Sequence, residues 1–221
     1  MKPITDRISF LPSSEDPLSA DVYVIRGDER SYVVDVGSCD AAYNLISSLG
    51  KRTIVITHFH DDHMKNLKRL DVSDNELLLT VQDRKVLATK AYCDVSIDAA
   101  EDENGSNGST GLKLGTIVEK TVEIRDGVKL VICPIPSSHA KGSLGVIVDD
   151  EYLLLGDGFY GSAKGYNVSL LSDEIRTLKG LSFTKVIMSH DEKIYSRDEV
   201  ISELEGFYAK RTKDSPYIPY K

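Results

Sequence analysis

One stretch, Thr57-His58-Phe59-His60-Asp61-Asp62-His63, holds three of the chain's five histidines. It reads H-x-H-x-D-H and follows Ile54-Val55-Ile56, an apolar run with the pattern of a buried strand. A turn after a strand lets neighbouring side chains converge, whereas a continued strand would send them to opposite faces. Imidazole nitrogens and the Asp62 carboxylate are ligands for a transition metal. A lone histidine is ordinarily a solvated residue. Three at this spacing point to metal binding, and the remaining two, His139 and His190, also stand just behind apolar segments.

The bulk numbers narrow the function. A chain of 221 residues is long enough for a substantial core. With 27 basic and 35 acidic residues its net charge is −8, which argues against a grip on nucleic-acid backbone. Cys39, Cys93 and Cys133 are odd in number and widely spaced, so neither a disulfide framework nor a thiolate zinc site is expected. Residues 1–11 lack the long apolar stretch of a secretory signal, and no run reaches the ~18 apolar residues of a membrane span. A cytoplasmic location, with no membrane partner, is the expectation.

Strands are expected over 8–11, 21–25, 31–36, 53–56, 77–79, 121–124, 128–133, 143–148, 152–155 and 185–188. Helical spacing covers 41–49, 81–90, 170–178 and 197–210. The segment 91–115 breaks both patterns and includes the polar, Gly-rich stretch 101–109, which reads as a mobile loop. The tail from Ser215 reads as irregular. No linker divides the chain, so a single domain over 1–221 is expected. The order of elements suggests α/β architecture, mixed sheets flanked by helices.

Four strand ends thus carry candidate ligands: His58/His60/Asp62/His63, His139, Asp157 and His190. This ordered set resembles the metallo-β-lactamase superfamily. The likeness rests on Asp35 in V-D-V-G, Thr57 to His63 as T-H-x-H-x-D-H, His139 in S-H-x-x-G-S, Gly156-Asp157 and Ser189-His190. The resemblance implies a four-layer αββα sandwich with two divalent metals at one edge, zinc first, iron or manganese as alternatives. By that likeness His58, His60 and His139 hold one metal, Asp62, His63 and His190 the other. Asp157 bridges them and Asp35 supports the site from behind.

Such a pair of ions, ~3.5–4 Å apart, can share a bridging hydroxide and polarise a carbonyl or phosphoryl oxygen. Asp62 could also orient the nucleophile. The chain departs from the family at Lys65, where many members have Gly, and at Lys141, where many have Pro. Lys141 could meet a substrate anion, although an exposed lysine is the commoner case.

Among branches of the family, glyoxalase-type thioesterases carry a further C-terminal helical part, and here about thirty residues follow His190. Nucleases carry basic arms, and flavin-linked di-iron members replace a motif histidine by a carboxylate. Lactonase-type members place a Tyr three residues after the bridging Asp, as Tyr160 stands after Asp157. The expected function is hydrolysis of a small ester, thioester or lactone, with Asp62 and Tyr160 as catalytic candidates and a small molecule as the partner. The alternatives are a non-catalytic metal-binding or regulatory module, or a phosphodiesterase- or nuclease-type member.

Overall fold

The computed structural model of the protein describes residues 1–73, 76–89 and 115–220. Lys90, Cys93 and the polar segment expected as a loop, apart from Gly115, lie outside them.

The chain begins with β1 (Lys2–Pro3), β2 (Ile8–Leu11), β3 (Ser14–Glu15), β4 (Leu18–Ser19), β5 (Val22–Arg26) and β6 (Ser31–Val34). Then come α1 (Asp40–Ser48), β7 (Arg52–Val55), the one-turn α2 (Asp61–Met64), a 3-10 turn (Lys65–Lys68), β8 (Leu77–Leu79) and α3 (Val81–Leu87). After the undescribed segment follow β9 (Thr116–Ile117), β10 (Val122–Arg125), β11 (Lys129–Ile135), β12 (Ser143–Val148) and β13 (Tyr152–Gly156). The chain closes with β14 (Tyr166–Asn167), α4 (Val168–Gly180), β15 (Lys185–Met188), β16 (Ile194–Ser196), α5 (Arg197–Ala209) and β17 (Tyr217–Ile218).

Two large sheets result, in the orders β1-β2-β5-β6-β7-β8-β9 and β10-β11-β12-β13-β15-β16. The period-two alternation of strand side chains builds the layers. Tyr32, Val34 and Val55 of the first sheet meet Leu130, Val146, Val148 and Leu154 of the second in a core between the sheets. The alternate residues Val33 and Ile54 turn outward onto Ala42 and Ile46 of α1. On the far side Ile147, Leu153 and Val186 pack against Leu171 and Leu178 of α4 and Val200 and Leu204 of α5. Central strands are therefore buried on both faces, which is why they read as continuous apolar runs. The four layers form the αββα sandwich expected from the sequence. The α4 helix also buries Glu174, whose two oxygens have no partner among the described residues, and burial pushes its carboxyl well up.

The strand directions place the site. Parallel pairing of β6 with β7 brings Asp35 and the Thr57–His63 segment to the same edge. Parallel β13 and β15 do so for Asp157 and His190. Two antiparallel steps, β11 to β12 and β12 to β13, align β11 with β13 and deliver His139 to that edge too. A hydrogen bond from Leu144 N to Thr57 O (2.8 Å) joins the two sheets there.

Several local expectations need correction. The expected histidine turn contains helix α2, with His60 as its N-cap in extended conformation. The tail is not irregular throughout: β17 pairs antiparallel with β14, Tyr166 opposite Ile218. Strand β11 runs through Pro134 to Ile135, past the expected end at Cys133. The proline is tolerated because β10 pairs only as far as Ile132, leaving β11 with one neighbour at that point. Lys65 needs no glycine geometry: its φ is −57° and its side chain is exposed. The Asn66 amide donates to Val36 O (3.0 Å) and Cys39 O (2.9 Å), which ties this turn to β6.

Candidate metal centre

The seven donor residues anticipated from the sequence meet at this edge in two groups, His58/His60/His139 and Asp62/His63/Asp157/His190. Within each group one ligand atom per residue lies within 4.8 Å of the others. In the first, His60 Nδ1 is 3.0 Å from His58 Nε2 and 3.0 Å from His139 Nε2. Three ring nitrogens facing one another have few protons to share, and a cation would satisfy all three lone pairs. Burial presses the pKa of both His58 and His60 down, and the other imidazoles add to it. The neutral form is the one that coordinates.

In the second group Asp62 Oδ2 lies 3.0 Å from His190 Nε2 and 3.5 Å from His63 Nε2. Asp157 stands between the groups, with Oδ2 3.2 Å from His139 Nε2 and 3.4 Å from His63 Nε2. His63 Nε2 and Asp157 Oδ1 are both buried without a hydrogen-bond partner among the described residues. Buried polar atoms are rarely left so, and a pair of such atoms beside other donors fits a metal. Neither group contains a thiolate, and the mixed imidazole–carboxylate set suits zinc, iron or manganese.

Behind the donors sits Asp35, fully buried at φ 60°. It accepts from Thr57 N (2.8 Å), Thr57 Oγ1 (2.8 Å) and His63 Nδ1 (2.7 Å). A carboxylate accepts only, so the His63 proton stays on Nδ1 and the Nε2 lone pair faces the site. The Thr57 hydroxyl gives its proton to Asp35, which leaves Oγ1 to accept from His58 Nδ1 at 3.2 Å. That fixes His58 in the same tautomer. One carboxylate thus sets one ligand nitrogen in each group, that of His63 directly and that of His58 through Thr57. The hydroxyl of Thr57 was the functional group that sequence reasoning missed, although the residue stood within the motif. Gly156 makes the close approach possible: at its φ of 59° an added Cβ would lie 2.8 Å from Thr57 Oγ1.

Burial lowers the His63 pKa, but Asp35 and Asp157 outweigh it and lift the value to about 10. Burial also raises Asp157, yet the nearby imidazoles of His139 and His63 carry it well below the usual carboxylate range. Without metal, His63 is therefore the cation of a buried ion pair. A divalent ion in the second group must displace that proton, so its affinity should climb with pH through neutrality and level off above about 10. Calorimetric metal titrations in buffers of different ionisation enthalpy should show at least one proton released at pH 7, since the hydrogen bond to Asp62 raises the His190 pKa too; buffer-independent heats would contradict this.

His60, Asp62, His139, Asp157 and His190 open onto a cleft of about 590 Å³. Its outer wall is the β3–β4 hairpin, through Ser13, Ser14, Glu15 and Leu18. Tyr160 is half-buried, its backbone N–H donates to Asp157 O (2.9 Å), and its ring centroid is 6.3 Å from that of His139. Lys141 does not face this cleft. It lines a separate one, of about 770 Å³, beside Val81, Pro134 and Leu170.

The sequence matches the description "Metallo-beta-lactamase superfamily" over residues 16–202, which includes every donor named above. The chain belongs to the metallo-beta-lactamase superfamily. No curated protein matches it significantly in sequence. Among solved structures, an archaeal metallo-beta-lactamase superfamily protein from Sulfolobus tokodaii superposes with TM-score 0.61 at 19% identity, covering 94% of this chain and 88% of that one. A B3 metallo-beta-lactamase with an active-site glutamic acid gives TM-score 0.65 at 12% identity, covering 95% and 89%. A flavo di-iron protein from Thermotoga maritima gives 0.61 at 14% identity, with 88% of this chain on 54% of that one. At these identities the superpositions speak for the metallo-beta-lactamase fold, one that serves more than one chemistry.

Proposed function

We propose that the protein is a dinuclear metal-dependent hydrolase, zinc-loaded by preference, that cleaves a small ester, thioester or lactone. The observation that carries this reading is the convergence of seven donors, two of them with a buried and orphaned atom, at a cleft that five of them line. His58, His60 and His139 would hold one ion, and Asp62, His63 and His190 the other, with Asp157 between. Two such ions would supply an activated water at neutral pH and polarise the substrate carbonyl.

The chain's own residues do the rest. Asp62 is hydrogen-bonded to His190, and that contact helps to hold its carboxyl ionised against burial, as an acceptor able to orient an attacking water. Burial, then the nearby Asp157 charge, raises the Tyr160 pKa, so its phenol stays protonated and can donate to a developing oxyanion. The Tyr160 hydroxyl has no hydrogen bond to a described residue, which leaves it free for that role. All the histidines of the motif are kept, which favours hydrolysis over the redox chemistry of flavin-linked relatives. The cleft size and the net charge favour a small-molecule substrate over nucleic acid, and none of the described helices is long and apolar enough to cross a membrane.

The test is metal content after reconstitution, followed by a screen of chromogenic esters, thioesters, lactones, β-lactams and phosphodiesters with and without chelator. About two ions per chain and chelator-sensitive acyl hydrolysis are expected. Trace metal after loading, or loaded protein inert on every acyl substrate, would refute the reading. In the same screen Tyr160→Phe should lower turnover on the preferred acyl substrate by at least ~10-fold with metal content unchanged, a discounted share of the ~10²–10³ of a full oxyanion donor. Equal turnover would make Tyr160 a packing residue.

A further inference from the structure

The cleft is electrically lopsided. Its floor would hold two divalent cations against the carboxylates Asp62 and Asp157. Among the described residues no lysine or arginine lines it, and the only ionic side chain outside the donor set is Glu15, on the hairpin wall. Glu15 is exposed, and no described cation stands within ion-pair distance of it. Leu18, on the same wall, is 57% exposed, which gives the path between floor and rim an apolar side.

The wall is fixed to the metal-binding frame rather than hanging free. Ser13 N donates to Asp21 Oδ1 at one end of the hairpin, and Ala20 N donates to Asp62 O (3.0 Å) at the other. Ser38 adds two more ties, from its N–H to Ser19 Oγ (3.0 Å) and from its hydroxyl to Leu18 O. Ser14 Oγ closes the turn by donating to Pro17 O (2.7 Å). Glu15 therefore has a set position relative to the donors. A substrate reaching from floor to rim meets positive charge at its reacting carbonyl, an apolar flank along its stem, and negative charge at its far end.

We propose that Glu15 is a specificity-determining residue that selects substrates carrying a cationic group, such as an ammonium, distal to the scissile acyl bond. This rests on the metal-hydrolase reading and deepens it. Substrates with a distal phosphate, sulfonate or carboxylate are disfavoured, because Glu15 repels them and no lysine or arginine among the described residues lines the cleft to pair with them.

The test separates charge selection from turnover by using thiols, whose sulfur seeks a metal and whose tail reaches along the cleft. Zinc-loaded protein is titrated calorimetrically with alkanethiols of graded length ending in ammonium, hydroxyl or sulfonate. At the length that spans the cleft, ammonium should bind at least ~3-fold tighter than hydroxyl and sulfonate more weakly than either, the scale of a part-exposed ion pair. Added salt should compress the differences. Glu15→Gln should flatten the order and Glu15→Lys should invert it, with zinc content unchanged. If Glu15→Lys keeps the wild-type order, the proposal is overturned. If no thiol binds the loaded protein, the metal reading falls and takes the proposal with it. An order that inverts in a protein hydrolysing no acyl substrate would uphold Glu15 and refute the hydrolase reading alone.

Discussion

Alanine at position 139 or 62 is expected to reduce hydrolysis to background while leaving the metal-free fold intact. His139 supplies one of three nitrogens to the first group, and two imidazoles are too few for a stable site with a position open to solvent. Asp62 supplies the second group with the oxygen nearest His190 (3.0 Å). Neither side chain holds the core together. The His139 side chain is 20% exposed and that of Asp62 16%, and both stand beyond the strand ends. The backbone bond from Ala20 N to Asp62 O survives either change. His58, by contrast, is 1% exposed, so its removal would confound a cavity with a lost ligand. Metal-free stability should therefore move by no more than about 1 kcal/mol, as for substitutions outside a core. Metal should separate the proteins. An ion at a thousand times its Kd stabilises the folded state by about 4.1 kcal/mol. At about 2–4 °C per kcal/mol for a chain of this size, that is on the order of 10 °C in Tm. The wild type, with two ions, should show about twice this rise, each variant should lose about half of it, and metal content should fall toward one ion per chain. A variant that keeps near-wild-type turnover would remove that residue from the site.

The site was legible because its ligands are rare residue types placed directly behind apolar strands. Ile54-Val55-Ile56 reads as buried on both faces, and the residues that follow must then stand at a sheet edge. The same reasoning finds His139, Asp157 and His190. What the sequence conceals is local structure too short for a period and contact too distant for a pattern. Helix α2 is one turn with no side-chain cap, so no periodicity marks it. The β3–β4 hairpin has two-residue strands and depends on ties to Asp21, Ser38 and Asp62, which no local signal announces. Tyr166 and Ile218 pair across half a hundred residues of chain. Pro134 signals a strand end by its missing N–H, and only the shortness of β10 removes the conflict. The wall that carries Glu15 was hidden for the same reason, since its role depends on where a loop is pinned rather than on what it contains.

Asp35→Asn is expected to cost metal affinity without emptying the pocket or straining the chain. At φ 60° the backbone of residue 35 is left-handed, and asparagine adopts that region more readily than any residue but glycine. The amide also matches the carboxylate in size, so the exchange isolates hydrogen-bond polarity. With its oxygen kept on Thr57 N, the new NH2 faces His63 Nδ1 and Thr57 Oγ1, where the aspartate accepted at 2.7 and 2.8 Å. Both can accept instead. His63 then carries its proton on Nε2, pointing at the place of the second metal, and the lone pair is lost to the far side of the ring. Thr57, no longer donating to residue 35, can turn its hydroxyl toward His58 Nδ1 and push that ring to the wrong tautomer as well. Carboxylate-to-amide exchange behind a functional histidine is known to disable it in this way while geometry is retained. Loss of an outer partner typically costs about 10–100-fold in metal affinity. The second group, coupled directly, should reach the upper part of that range, and the first, coupled through Thr57, the lower. Competition titrations against a chromophoric chelator resolve the two steps, and a Tm measured without metal checks that the fold persists. The buried ion pair of His63 with Asp35 disappears in the variant, so its metal-free stability should also lose Asp35's share of the pH dependence that the raised His63 pKa gives the wild type, with the share of Asp157 remaining. In the wild type that stabilisation is complete below the unfolded value of 6.5 and fades as pH rises through about 10. Unchanged affinity at both sites in Asp35→Asn would mean that the histidine tautomers are set by the metal itself and not by the carboxylate behind them.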